Sequence, residues 1–317
     1  MIEDMTLFWI GFFIFIIAML ALDLFVFNRK AHVIGVKEAV KLSIFWISLA
    51  VVFNMLVWYL MGSEKALEFT TGYIIEMTLS VDNLFVFILV FGYFCTPQYC
   101  LHKVLFWGII GALVFRGLFI FVGVALIEEF EWVIYIFGLF LVITAVRMAF
   151  SHDKKIDPKK NLAVRGFRKI FPVTDEYDHD KFWTRTAVGA LVATPLLVTL
   201  VFVESTDIVF ALDSIPAILA ITTDPFIVYT SNAFAILGLR SLFFALSSAI
   251  TAFCYLKYGL SVILAFVGLK MLLAGVVDIP IELSLLVIGG ILGVTIVASL
   301  IKNRGRDTCP VPDEKKG

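Results

Sequence analysis

The sequence predicts an all-α polytopic membrane protein of about nine transmembrane helices, which contains an inverted three-helix repeat. Three observations predict this class. Of 317 residues, 61% are hydrophobic and 16% are charged, whereas a soluble domain is about half apolar and about a quarter charged. Most of the apolar residues fall in runs of about 17–25, the length that crosses a ~30 Å hydrocarbon layer as a helix. Polar landmarks also recur in the same order in both halves of the chain.

Nine apolar runs are long enough to be spans. They lie at residues 7–27, 42–61, 72–94, 104–127, 132–150, 187–220, 226–253, 258–275 and 283–301. The first run follows an acidic start, so we expect a mature span and not a signal peptide. The predicted organisation is an N-terminal helix pair (1–71), a first three-helix repeat (72–150), a cytoplasmic loop (151–186), a second repeat (187–275), and a last helix with a cytoplasmic tail (276–317).

The basic residues of the connections predict the orientation. They concentrate after the first span, in the long loop and in the C-terminal tail, whereas the opposite connections carry many acids and one basic residue, Lys65. This pattern places the N-terminus outside and the C-terminus in the cytoplasm, and it requires an odd number of spans. A formal net charge of -1 with no basic stripe gives no reason to expect nucleic acid.

Three landmarks define the internal repeat. The segment Ser80-Val-Asp-Asn-Leu-Phe matches Ser205-Thr-Asp-Ile-Val-Phe, Arg116 matches Arg240, and Arg147-Met matches Lys270-Met. Spans three to five therefore align with spans six to eight. A unit of three spans places its second copy upside down, as in secondary transporters whose substrate sites lie at mid-membrane between the repeats.

Acidic residues within the third and sixth spans are the strongest functional signal. They are Glu76, Asp82, Glu204, Asp207 and Asp213. Each costs about 2.5–3.5 kcal/mol at the bilayer centre on insertion scales, so such a cluster needs partners, protons or bound cations. Arg116 and Arg240 are the expected charge partners. The alternative is a set of permanent salt bridges that hold the bundle together, but five acids exceed two arginines.

The residue types around these acids indicate the class of ligand. Asn83, Ser80, Ser205 and Ser214 add neutral oxygens, and Asn83 shares a helix face with Glu76 seven positions earlier. An oxygen-only set suits hard cations such as Mg²⁺, Ca²⁺ and Mn²⁺, and it disfavours zinc and copper. The predicted metal-binding residues are Glu76, Asp82, Asn83, Glu204, Asp207 and Asp213.

The sixth span raises a geometric question. Asp207 and Ser214 share a face, but Asp213 lies nine positions from Glu204 and so points away from it on a straight helix. Either the helix breaks or Asp213 has a different role. Because proline kinks helices, we expect a break near Asp213-Ser-Ile-Pro216.

At these segments the chain resembles a known family. Ser80-Val-Asp-Asn-Leu-Phe-Val-Phe and Glu204-Ser-Thr-Asp-Ile-Val-Phe-Ala-Leu-Asp-Ser-Ile-Pro look like the two signature segments of the TerC family, and Ser231-Asn-Ala-Phe-Ala-Ile-Leu-Gly-Leu-Arg also fits. The likeness is greatest to the Alx branch, which is associated with alkaline pH and manganese. The resemblance implies an inner- or plasma-membrane exporter of Mn²⁺, distantly akin to LysE-type transporters, whose acidic pattern maps onto the five acids with Asn83 alongside.

The sequence therefore predicts export of a divalent cation, with Mn²⁺ favoured, by alternating access at a mid-membrane carboxylate site coupled to protons or sodium. The cation and the bilayer are the expected partners. No cofactor and no enzymatic activity are expected, because no nucleophile–base pair or cofactor motif is visible. A Ca²⁺ or Mg²⁺ exchanger with the same site, and a membrane assembly or metal-delivery partner of the secretion machinery, remain alternatives. The loop cluster Asp175–Asp180 is interpreted as a solvated charge run.

Overall fold

The fold comes from a computed structural model. It describes residues 2–22, 36–130, 132–150, 161–185, 189–246, 255–277 and 279–303. Within these ranges the description covers the backbone alone at residues 2–5, 36, 82, 85, 246, 256, 257, 300, 302 and 303.

Ten helices and one short hairpin make up the described chain. The helices are α1 (Ile2–Leu22), α2 (Val36–Met61), α3 (Ser63–Tyr93), α4 (Gln98–Glu129), α5 (Val133–Phe150), α6 (Leu162–Ile170), α7 (Pro195–Leu219), α8 (Pro225–Leu246), α9 (Leu256–Leu272) and α10 (Ile281–Asn303). The strands β1 (Trp183–Arg185) and β2 (Leu191–Ala193) pair antiparallel. By length and composition, seven of the described helices can cross a membrane, and α1 and α9 contribute shorter apolar stretches. These nine helices coincide with the nine predicted spans, which confirms the predicted fold class.

The helix contacts follow the sequence repeat. The repeat equates α3, α4 and α5 with α7, α8 and α9. In the bundle α3 packs on α8 as α4 packs on α7, and α5 packs on its counterpart α9. An exchange of the two repeats leaves this set of contacts unchanged, as a two-fold relation requires. The α5–α9 contact is so close that a Cβ on Gly268 would lie 2.8 Å from the carbonyl oxygen of Gly138.

The most enclosed helix of the bundle is α8. Its apolar stretch is 94% buried, whereas those of α2 and α10 are 17% buried and turn large apolar side chains outward. A helix apolar all round belongs in the interior of a bundle, and peripheral helices in a bilayer keep apolar faces toward lipid. Buried polar groups are therefore expected where α8 packs on α3 and α4.

The third helix begins earlier than predicted, and this changes the position of one acid. We expected residues 62–71 to be a connection outside the span, but α3 starts at Ser63, directly after Gly62, whose φ is 94°. A positive φ is a conformation that glycine adopts without strain, so α2 can turn into α3 at a single residue. Glu68 is consequently a buried residue of α3 and not a solvated loop acid.

The expected break in the sixth span is absent. Helix α7 runs without interruption from Pro195 to Leu219 with Pro216 inside it. Pro216 lies in the last turn, where the loss of one backbone hydrogen bond ends the helix soon afterwards and does not split it. The span also begins at Pro195 and not at 187, because residues 191–193 form β2 and proline at the first helical position favours a helix start.

The described part of the long loop is folded against the end of the bundle. Val164 and Phe167 of α6 pack with Val90, Val198 and Phe202. Further along, the hydroxyl of Tyr177 donates to the carbonyl oxygen of Phe94 at 2.8 Å, and Lys103 Nζ donates to the carbonyl oxygen of Asp180 at 2.6 Å.

The acidic cluster within this loop is largely exposed to solvent, at Asp175, Glu176, His179 and Asp180. Asp178 accepts hydrogen bonds from Thr184 and Lys181, which lower the pKa of its carboxyl. Asp180 pairs with Lys103 at 3.2 Å. The structure therefore agrees with the interpretation as a solvated charge run, in which Asp178 and Asp180 make ion pairs at the surface.

Candidate cation site

A buried arginine stands where the two repeats meet. Arg116, in the middle of α4, is 1% exposed, and Glu76 and Asp207 beside it are 0% and 5% exposed. Arg116 and Glu76 belong to the first repeat, whereas Asp207 belongs to the second. Charges this deep in an apolar bundle persist only when they are paired and hydrogen-bonded.

The geometry around Arg116 satisfies both carboxylates. Its Nε donates to Asp207 Oδ2 at 3.2 Å and its Nη2 donates to Asp207 Oδ1 at 3.1 Å, a two-pronged arginine–carboxylate pair. Its Nη1 donates to Glu76 Oε1. The predicted role of Arg116 as a charge partner is thus visible in the packing, and one guanidinium bridges an acid from each half of the chain.

Neutral oxygen and amide groups complete the cluster. Ser80 donates to Glu76 at 3.3 Å, and Asn232 of α8 donates through Nδ2 to Glu76 Oε2 at 3.1 Å. Arg116 Nη1 also lies 3.3 Å from Ser214 Oγ and 3.3 Å from Asn232 Oδ1. Around the guanidinium the described side chains therefore present two carboxylates, two hydroxyls and one amide.

Helix geometry explains why these groups converge. Ser80 lies one turn beyond Glu76 on α3, and Ser214 lies two turns beyond Asp207 on α7, so each pair shares a face. The α3 face meets α8 at Asn232 and the α7 face meets α4 at Arg116, and small residues let α3 and α8 approach. A Cβ on Gly72 of α3 would lie 2.9 Å from Ser231 Oγ of α8.

Asp207 also borders a small cavity. Residues of α3, α4, α7 and α8 line this cavity, and Arg240 is among them. Arg240 is 4% exposed and occupies in the second repeat the position that Arg116 occupies in the first. The repeat predicts that Arg240 faces Asp82 as Arg116 faces Asp207. The side chain of Asp82 lies outside the described residues, so this pair stays a prediction.

Glu204 lies near the cluster but outside the Arg116 network. Its Oε2 is buried without a hydrogen-bond partner among the described residues. Its carboxylate occupies the space next to Gly111 of α4, and a Cβ on Gly111 would overlap it. The next residue, Ser205, accepts a hydrogen bond from Asn161 Nδ2 at 3.0 Å, so the long loop reaches the same region.

Asp213 is not brought to the cluster. It accepts a hydrogen bond from Thr144 Oγ1 of α5 at 3.2 Å. On the unbroken helix α7, its position six residues after Asp207 turns it to a different side. Of the two possibilities that the spacing left open, the structure favours a separate role for Asp213.

Asn83 is 5% exposed, but it is not among the described partners of Arg116. Among the side chains that the structure describes, no three or more His, Cys, Asp or Glu residues lie together as a metal-holding group.

A second charged cluster lies on α3 two turns before Glu76, near the start of the helix. Lys65 Nζ is 2.9 Å from Glu68 Oε2 and 3.2 Å from Asp224 Oδ2, and Thr222 donates to Glu68 at 2.7 Å. Glu68 borders two open polar cavities at this end of the bundle. The ion pairs join α3 to the α7–α8 connection.

Three contributors had little or no sequence signal. Asn232 is a lone amide within an apolar span, which often only bridges helices. Gly111 matters through the space it leaves, and Asn161 lies in a loop of no recognisable motif. Their importance depends on contacts between segments far apart in the chain.

Comparisons with known proteins identify the family. The chain matches the integral membrane protein TerC family over residues 61–307. It is 53% identical over 300 residues to a Myxococcus xanthus protein named "Uncharacterized membrane protein STKORF319", covering 95% of this chain and 94% of that protein. No solved structure matches.

Enterobacterial relatives are also similar over nearly their whole length. The chain is 44% identical over 310 residues to proteins of Salmonella typhi and Escherichia coli K12 named "Putative membrane-bound redox modulator Alx", covering 95% of this chain and 96% of each relative. The predicted resemblance is confirmed by matches of this extent. The protein is a multi-pass helical membrane protein that belongs to the TerC family.

Proposed function

We propose that the protein exports Mn²⁺ across the cell membrane by alternating access at the cluster around Arg116. The observation that carries this proposal is the meeting of Glu76 and Asp207, one acid from each repeat, at one buried point between the repeats. Inverted-repeat transporters bind their substrates at this interface. The proposed orientation is that of the basic loops, with the N-terminus outside and the C-terminus in the cytoplasm.

Arg116 is an internal cation in this mechanism. Two carboxylates and one guanidinium leave a formal charge of −2 + 1 = −1. When the guanidinium withdraws and a divalent cation takes its place, the two carboxylates are balanced, since −2 + 2 = 0. The vacated oxygens of Glu76, Asp207, Ser214 and the Asn232 amide, with the hydroxyl of Ser80 beside Glu76, are hard ligands of the kind that Mn²⁺ accepts. After release, Arg116 returns and neutralises the acids.

The repeat adds a second half to this site. Asp82 and Arg240 are the expected counterparts of Asp207 and Arg116, and the small cavity beside Asp207 lies between the two arginines' helices. Asp82 would then contribute a further carboxylate as the ion arrives. Glu204, whose Oε2 has no described partner, is available to the ion along the same side of α7.

Export against an inside-negative potential requires an energy source. Moving one charge outward costs about 2.3 kcal/mol per 100 mV, so a divalent ion costs about 4.6 kcal/mol per 100 mV by the same relation. Inward flow of protons or sodium supplies that energy in our proposal.

The test is Mn²⁺ uptake into everted membrane vesicles. We expect Asp207→Asn and Glu76→Gln to abolish uptake, because each removes a carboxylate of the meeting point. Asp213→Asn is the matched control: it makes the same chemical change on the same helix as Asp207→Asn, but Asp213 bonds Thr144 away from the cluster. Wild-type uptake by the Asp207 variant would refute the proposed function.

Competition resolves the alternatives within the same assay. Ca²⁺ or Mg²⁺ that is itself transported and displaces Mn²⁺ would point to the corresponding exchanger. Absence of ion movement in purified proteoliposomes, together with co-purification of secretion-machinery subunits, would favour the assembly role. No described feature singles out either alternative.

A further inference from the structure

The short helix α6 has three differently composed faces. At about 100° per residue, Val164 and Phe167 form one face, which packs into the bundle. Arg165, Arg168 and Lys169 form a second, exposed and basic face. Leu162 and Ile170 lie between these two faces and are 80% and 73% exposed, although both are large and apolar.

The exposed apolar surface continues past the end of α6. Phe171 packs against Phe167 with tilted rings whose centroids are 4.9 Å apart, and it meets Trp183 of β1 edge-on at 5.5 Å. Phe171 and Trp183 are 39% and 36% exposed. Basic side chains beside an apolar and aromatic surface are the composition of a helix that lies in the headgroup region of a membrane.

The position of α6 fits that depth. Its packed face contacts Val90 near the end of α3 and Val198 near the start of α7. The residue that caps it, Asn161, reaches Ser205, ten residues into α7. The contacts with Val90 and Val198 therefore place α6 beside the ends of these two spans on the side predicted to be cytoplasmic, where headgroups and upper acyl chains lie.

We propose that α6, with Phe171 and Trp183, is a docking surface for anionic phospholipid of the leaflet on the side predicted to be cytoplasmic. The apolar side chains enter the acyl boundary, and Arg165, Arg168 and Lys169 bind the headgroup phosphates. Because Asn161 joins α6 to Ser205, the lipid would hold the loop at the inner end of the candidate site. This inference is independent of which ion is transported.

The test is hydrogen exchange of the α6 amides in the full-length protein. The protein is placed in nanodiscs of phosphatidylcholine alone, or of phosphatidylcholine with phosphatidylglycerol. Since each basic side chain near an anionic surface contributes about a fivefold effect, we expect exchange at residues 162–170 to be at least about fivefold slower with phosphatidylglycerol. High salt should remove the difference.

Two double variants separate this surface from general charge. Arg165→Gln/Arg168→Gln should abolish the difference, whereas Lys181→Gln/Arg185→Gln removes two basic residues of the same loop outside α6 and should keep it. Leu162→Ser retains the basic face but loses an apolar side chain, so it should reduce protection in both lipids. This variant keeps the proposal testable if the arginine variant does not fold. Equal exchange in the two lipids, or equal loss in both double variants, would overturn the proposal.

Discussion

Replacement of Arg116 by glutamine should convert the candidate site into a tighter Mn²⁺ site. The substitution leaves Glu76 and Asp207, 0% and 5% exposed, without their shared cation. Removal of one partner from a buried ion pair costs about 3–5 kcal/mol, because the remaining charge stays buried and uncompensated. A metal ion that takes the position of the guanidinium recovers that energy, whereas in the wild type it must first displace Arg116.

The expected size follows from this difference. At 1.4 kcal/mol per factor of ten, 3–5 kcal/mol corresponds to an affinity that rises by about 10²- to 4 × 10³-fold. This range is an upper bound, since protons can also neutralise the two buried carboxylates and then compete with the metal ion. Transport should fall although binding tightens, because release then lacks the returning arginine.

Mn²⁺ binding to purified protein, measured by titration calorimetry in detergent, tests this reasoning. Thermal unfolding with and without Mn²⁺ should show the variant less stable than the wild type without metal and more strongly stabilised by it. Arg147→Gln is the matched control, since Arg147 is an exposed arginine of α5. A folded Arg116 variant whose affinity for Mn²⁺ equals that of the wild type would show that Arg116 only holds the bundle together.

Three further predictions follow from packing and from the loop. Gly111→Ala should reduce Mn²⁺ uptake about tenfold, because its Cβ displaces the carboxylate of Glu204. In a Glu204→Gln protein the same change should cause no further loss of uptake. Gly108→Ala, whose Cβ meets only a methyl group at 3.4 Å, should leave uptake intact. Gly268→Ala should destabilise the protein by about 1–3 kcal/mol in thermal unfolding, because its Cβ meets backbone, whereas Gly293→Ala has nothing within 4 Å and should be close to neutral. Burial raises the pKa of Tyr177, so its hydroxyl keeps its proton and its hydrogen bond to the Phe94 carbonyl up to the ordinary tyrosine pKa of about 10. Protease sensitivity of the loop should increase only above that pH. In Tyr177→Phe the sensitivity should be higher already at neutral pH, by an amount that corresponds to the ~1 kcal/mol of one hydrogen bond.

The spans and the class of protein follow from the sequence because insertion into a bilayer depends on local composition. A run of about 20 apolar residues crosses the membrane whatever its neighbours are. The repeat landmarks likewise predicted which helices are equivalent, and the position of Arg116 within a span predicted that it pairs with a carboxylate. These inferences need only residues that are close in the chain, or the sum of their charges.

The tertiary structure decided which charged groups meet. Arg116 joins Glu76 and Asp207, 40 and 91 positions away, while Asp213 turns to Thr144. Such choices depend on how each helix is rotated about its axis and where α7 begins and ends, and packing against other helices sets both. The burial of Glu68 and the docking of the long loop against α3, α4 and α7 have the same origin, since contacts between distant segments leave no mark in local composition.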